Sequence, residues 1–213
     1  MAKDKNRIPR VESSEQKSDT YKKLLDRHTE AVKSGFYLEA IVLEYAMIED
    51  RFTEILRTLG IATLNEKGTE YVPVIGLGTD LFKLLNPNKT DKKEHGSFKT
   101  ISSKFEVIKA LAEEEKCPET LKLQRECVLA ADKAAGVKKD GTRSMAILPL
   151  IKELKNWNGL RDQYIHALYS KDYEQAMAIL PDTSEQGMKL ANEIHSFLGR
   201  VVTQAKNRNI RRI

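Results

Sequence analysis

The chain has 213 residues, 31% of them charged and 40% hydrophobic, with 11 glycines, 6 prolines and a net charge of +5. That length suits one large domain, or a core domain with an insertion, able to bury about 70% of its unfolded surface. The composition, with few glycines and prolines, fits a soluble helical protein. No apolar run approaches the ~18 residues of a membrane span and the N-terminus lacks an apolar signal region, so a cytoplasmic protein with no membrane association is expected.

Residues 1–17 mix charge with Pro9, Ser13 and Ser14 and show no periodicity, which predicts a mobile basic arm. Ser18 or Asp19 is a candidate cap for a helix that Gly35 ends near Ser34. The clearest periodic segment follows. Leu38, Ile41, Tyr45, Ile48, Phe52, Ile55 and Leu59 recur at steps of three or four, and Gly60 closes a predicted helix of about 36 Å. Its acidic positions Glu39, Glu44, Glu49, Asp50 and Glu54 are read as a solvated face rather than a metal site.

Residues 61–97 lose that periodicity and are read as an irregular insertion between the second and third main helices. Val72 to Ile75 make a short extended piece, and Gly76-Leu77-Gly78 with Thr79 resembles a loop ending in a helix cap before Leu81. Neither the Walker pattern nor a full G-x-G-x-x-G is present, which argues against a nucleotide cradle. Residues 86–96 read as a surface loop in which His95 is a bystander. Phe98, Ile101, Phe105, Ile108 and Leu111 restore helical spacing. After Pro118 a helix runs from Leu121 to Ala135, and Lys138, Lys139 and Arg143 form a basic turn. Cys117 and Cys127 fit neither a C-x-x-C pair nor a zinc spacing and are read as buried or idle thiols.

The next helix begins near Pro149, and Asn158-Gly159 marks either a break or a weak point in it. Lys171 to Leu180 reads as a short helix stopped by Pro181. Thr183 or Ser184 then caps a last long helix with Leu190, Ile194, Phe197, Leu198, Val201 and Val202 inward. His195 borders that stripe and reads as structural. Residues 1–10 carry +3 and residues 206–213 carry +4, leaving −2 for the remainder, so the basic character sits at the ends. Such ends add sequence-independent phosphate attraction or merely solubility. The fold expected is all-α: one up-and-down bundle over 18–206, with 207–213 as a basic tail.

One stretch groups residues capable of chemistry. On a helix, Leu160, Tyr164, Ala167 and Leu168 share a core arc, while Arg161, Asp162, Ile165, His166 and Tyr169 share a second. An arginine, a histidine and an acid beside an isoleucine and a tyrosine read as a contact surface. Asp162 stands one turn before His166, where a carboxylate can orient an imidazole. Arg161 presents a forked donor set suited to phosphate. With Asn158 as a cap, the group would lie in the first two turns, where the helix dipole favours an anion.

Arg161-Asp162-x-x-x-His166, late in an all-helical chain, resembles the R-x4-6-H motif of the HEPN superfamily, with aspartate at its variable polar second position. A toxin subgroup of that family places a tyrosine two residues after the histidine; here Tyr169 comes three after. The resemblance implies a HEPN-like helical bundle that forms a homodimer through the motif helices, here Arg161 to Tyr169. In many members it implies a metal-independent endoribonuclease serving toxin–antitoxin or antiviral defence systems.

Cleavage of RNA without a metal needs a base for the 2′-hydroxyl, an acid for the 5′-oxygen and a cation for the phosphorane. A twofold dimer would supply two histidines. In that scheme His166 transfers protons, Arg161 holds the phosphate, Asp162 orients His166, and Lys138, Lys139, Arg143 and Tyr169 contact RNA. Tyr164 packs. No cofactor or metal is required, and the products carry 2′,3′-cyclic phosphates. The alternative is a non-catalytic dimeric module that partners a toxin, a nucleotidyltransferase or a larger defence complex, with Arg161 and Asp162 as an interfacial pair. A surface Arg-Asp-His cluster without function is the third reading.

Overall fold

A computed structural model describes residues 14–86, 95–113, 117–136, 144–170 and 173–211. Seven α-helices and one β-hairpin make up the described chain: α1 (Ser14–Lys33), α2 (Tyr37–Thr58), β1 (Ala62–Leu64), β2 (Tyr71–Pro73), α3 (Gly78–Leu85), α4 (Ile101–Glu113), α5 (Lys122–Lys133), α6 (Ile147–Ser170) and α7 (Tyr173–Asn207). A single 3-10 turn, Glu119–Leu121, leads into α5. The protein is an all-α bundle, as its periodicity predicts.

Cross-helix contacts fix the directions of the four long helices. α1 runs against α2, since Arg27 meets Glu39 while Tyr21 lies under Arg51. α2 and α7 run the same way: Ser184 touches Glu44 at one level and Arg211 reaches Gly60 at the other. α6 opposes both, with Arg161 beside Tyr45, Trp157 beside Thr183 and Met145 beside Glu193. Successive long helices therefore alternate up and down. One continuous apolar core joins Ile48, Phe52 and Ile55 of α2, Leu150, Leu154 and Trp157 of α6, and Leu190, Ile194, Phe197 and Val201 of α7. α4 closes one side, where Phe105 packs edge-on against Phe52 at 4.6 Å. Along α5 the buried Cys127 points its Sγ at the Val201 carbonyl, and burial raises that thiol to about 11. Both cysteines are free thiols.

Helix ends follow the chemistry of a left-handed residue that lets two amides turn back onto the last carbonyls. After α1, Gly35 (φ 75°) lets Phe36 N–H reach the Ala31 carbonyl. After α7, Asn209 (φ 53°) does the same for Ile210 and Ala205. Residues 208–211 thus fold back as a cap, with Ile210 against the core and the Arg211 carbonyl against Gly60, instead of trailing away as a tail.

Several boundaries differ from the sequence expectation. α1 begins at Ser14, so Ser18 and Asp19 lie inside a helix, and the rest of the expected arm falls outside the described residues. Thr79 is not a cap: α3 starts at Gly78 behind Leu77. Residues 61–86 and 95–97, though irregular, are joined to the bundle. Ala62 to Leu64 pairs antiparallel with Tyr71 to Pro73, Phe98 N–H bonds the Tyr71 carbonyl, and Ile61, Leu81, Leu84 and Phe98 are buried in the main core.

The largest corrections concern α6 and α7. α6 is unbroken through Asn158-Gly159. α7 is unbroken through Pro181, so neither Thr183 nor Ser184 caps a helix. Proline cannot donate to the carbonyl four residues back, yet burial and side-chain bonds hold the segment helical. Leu180 is buried, the Thr183 carbonyl accepts the Trp157 Nε1–H at 2.9 Å, and the Thr183 hydroxyl bonds the Ile179 carbonyl.

Candidate functional site

Arg161 is the fifteenth residue of a 24-residue helix. At about 1.5 Å per residue it lies roughly 21 Å from the α6 N-terminus, too far for the helix dipole to favour an anion there. What positions Arg161 is α2. The guanidinium carbon sits 3.7 Å from the centroid of the Tyr45 ring, a stacking worth about 1–2 kcal/mol when partly desolvated. Its Nε–H donates to Asp162 Oδ1 at 3.1 Å, and its Nη2 donates to the same oxygen. The other Asp162 oxygen accepts the Asn158 Nδ2–H at 3.4 Å.

The Arg161 side chain is consequently only 16% exposed. It is a clamped cation rather than a free one, and the Asp162 carboxylate that the sequence assigns to His166 is engaged by Arg161 and Asn158. Among the described residues Arg161 Nη1 makes no hydrogen bond. His166 lies further out on α6 and is exposed. Tyr164 packs on the core, as expected. The α6 backbone continues through Tyr169, but that side chain lies outside the described residues.

Lys138, Lys139 and Arg143 also fall outside the described residues; the ends of their loop do not. Ser144 N–H bonds the Gly136 carbonyl, Met145 N–H bonds Glu193 and Ile147 N–H bonds Asp132 Oδ1 at 2.6 Å. The base of the basic turn is therefore pinned at the N-terminus of α6, and Arg161 and His166 lie along its far half.

The other three histidines sit in different settings, and His195 has the structural role expected of it. His195 lies at the bundle surface and stacks on Tyr21 at 5.7 Å, with Arg51 on Tyr21 at 3.9 Å; the partial desolvation of its ring and the Arg51 charge lower its pKa. His95 is half-buried against Phe98, and burial lowers its pKa too. His28, which the sequence does not single out, is buried. Its Nε2 lies 2.6 Å from Glu44 Oε1, and the Ser184 hydroxyl donates to that oxygen at 2.6 Å.

Glu44 is fully buried, contrary to the solvated face expected of the α2 acids, and burial pushes its carboxyl up to about 8 against the opposing Ser184 hydrogen bond. Glu54 is buried as well, and Glu49 pairs with the buried Lys104 at 2.8 Å. A signal for Glu44 was present: three residues beyond Ile41 it falls about 60° from that side chain, on the edge of the apolar arc.

Among the described residues no group of three or more His, Cys, Asp and Glu side chains could hold a metal ion. No helix of the described chain is long and apolar enough to cross a membrane. The far half of α6 carries an exposed imidazole, His166, and a clamped guanidinium, Arg161. No protein-family model, curated protein or solved structure matches the chain.

Proposed function

We propose that the protein is a metal-independent endoribonuclease of HEPN type that acts as a homodimer. The observation that carries the reading is the clamp on Arg161: Tyr45 covers one face of the guanidinium and Asp162 takes its Nε/Nη2 edge, leaving Nη1 as the donor for a phosphate oxygen. A cation held this way needs no reorganisation as charge builds on phosphorus. His166, exposed on the same half of α6, is the proton carrier, and a second copy brings the second imidazole. One histidine removes the 2′-hydroxyl proton, the 2′-oxygen attacks phosphorus, and the other protonates the departing 5′-oxygen, leaving a 2′,3′-cyclic phosphate.

The test is cleavage of a labelled single-stranded RNA by the purified chain in EDTA. His166→Ala is expected to lower the rate by at least about 100-fold. Equal cleavage by the variant refutes the assignment.

A second reading is favoured by a different observation. The intrachain pairing of Arg161 with Asp162 spends much of its charge, and Phe36 and Val42 at the start of α2 are 61% and 51% exposed. These suit a non-catalytic module that binds a second copy or a protein partner of a toxin or defence complex. Arg161→Ala separates the two: the enzyme keeps its oligomeric state and loses cleavage, whereas the module loses its assembly.

A further inference from the structure

α1 is attached to the bundle differently from every other long helix. It contributes no side chain to the continuous apolar core, and Ala31 is its one buried hydrophobic residue among those described. Its fastenings are polar: Arg27 to Glu39 at 2.6 Å, Tyr21 between Arg51 and His195, and His28 to Glu44. Beneath it Ala40, Glu44 and Met47 recur at steps of four and three along α2, each fully buried. Ala40 and Met47 stand apart from the continuous core.

We infer that α1 is a detachable strap over the groove between α2 and α7, with the His28–Glu44–Ser184 cluster as its latch. The groups facing Glu44 are few. From α1 comes His28; from α7, Ser184 and Gly187; from α6, the Trp157 ring. No lysine or arginine pairs with it among the described residues. Its Oε2 has no hydrogen-bond partner and lies against Gly187. A cluster so enclosed favours the form without net charge, in which Glu44 and His28 share one proton. Lifting α1 returns both groups to water, where each titrates normally.

The sign follows from the directions. The Glu44 carboxyl rises from 4.5 to about 8 when buried, so its contribution is full below 4.5 and lost as pH rises through about 8. His28 is lowered from 6.5 by burial, so below pH 6.5 the lifted strap regains a proton on the imidazole. The two effects cancel between about pH 4.5 and 6.5. Between pH 6.5 and 8, opening releases one net proton and is favoured about tenfold per pH unit.

Amide hydrogen exchange on the full chain tests this, as protection relative to unstructured rates at each pH from 5.5 to 9. The α1 peptides are expected to be at least about tenfold less protected than the centres of α2 and α7, because α1 opens alone. Their protection should hold steady from pH 5.5 to 6.5, fall about 30-fold by pH 8 and level off above it. Glu44→Gln should keep the lower protection of α1 and lose the fall. Equal protection of α1, α2 and α7 in the native chain overturns the strap, whether or not the variant folds. A pH-driven fall that persists in Glu44→Gln overturns the latch.

Discussion

Gly187 shows how closely the centre of the bundle is fitted. A methyl placed on its Cα would stand 2.1 Å from Glu44 Oε2 and 2.7 Å from the Trp157 ring. Neither neighbour can yield freely. Glu44 is held by His28 and Ser184, and the indole is tied to the Thr183 carbonyl through Nε1–H. Gly187→Ala should therefore incur an overpacking cost of about 1–3 kcal/mol and weaken buried hydrogen bonds worth about 1–3 kcal/mol more. Replacing glycine by alanine inside a helix returns about 1 kcal/mol.

A net loss of about 1–5 kcal/mol is expected, read as a lower urea midpoint with an unchanged m-value. Gly199 in the same helix meets nothing within 4 Å, so Gly199→Ala should gain up to about 1 kcal/mol. If Gly187→Ala matches or exceeds the stability of the native chain, Glu44 does not pack against α7 as described and the latch is refuted with it.

Pro181→Ala restores the missing amide donor in α7 and is expected to stabilise the protein by about 1–2 kcal/mol after the gain in unfolded-chain freedom; a loss in urea titration would mean that the proline sets the path of Leu180. Under the proposed ribonuclease function, Tyr45→Phe keeps the ring beneath Arg161 and should leave RNA cleavage within about twofold. Tyr45→Leu removes about 1–2 kcal/mol of stacking and should lower cleavage about tenfold or more. Full activity in the leucine variant would show that Asp162 alone orients the guanidinium.

Local pattern was enough for most helices. The steps of three and four from Leu38 to Leu59 and the spacing after Phe98 mark amphipathic faces, a property each segment carries by itself. Glycine at the ends of α1 and α2 was readable for the same reason: only its own backbone freedom is involved.

What such reading could not reach were outcomes decided by neighbours from elsewhere in the chain. Pro181 and Asn158-Gly159 are local stop signals, overruled where Trp157, Leu180 and Thr183 are buried and the Trp157 indole ties α6 to α7. Arg161 looked like a free cation until α2 placed Tyr45 under it. Glu44 looked solvated because an acid usually is; its burial requires His28, Ser184 and Gly187 from two other helices to leave a fitted space and two hydrogen-bonding groups. The sequence by itself determined which faces of the helices are apolar and where most helices end. The tertiary structure alone decided which polar side chains are drawn inside, since the cost of burying a charge or a donor is set by the groups that surround it.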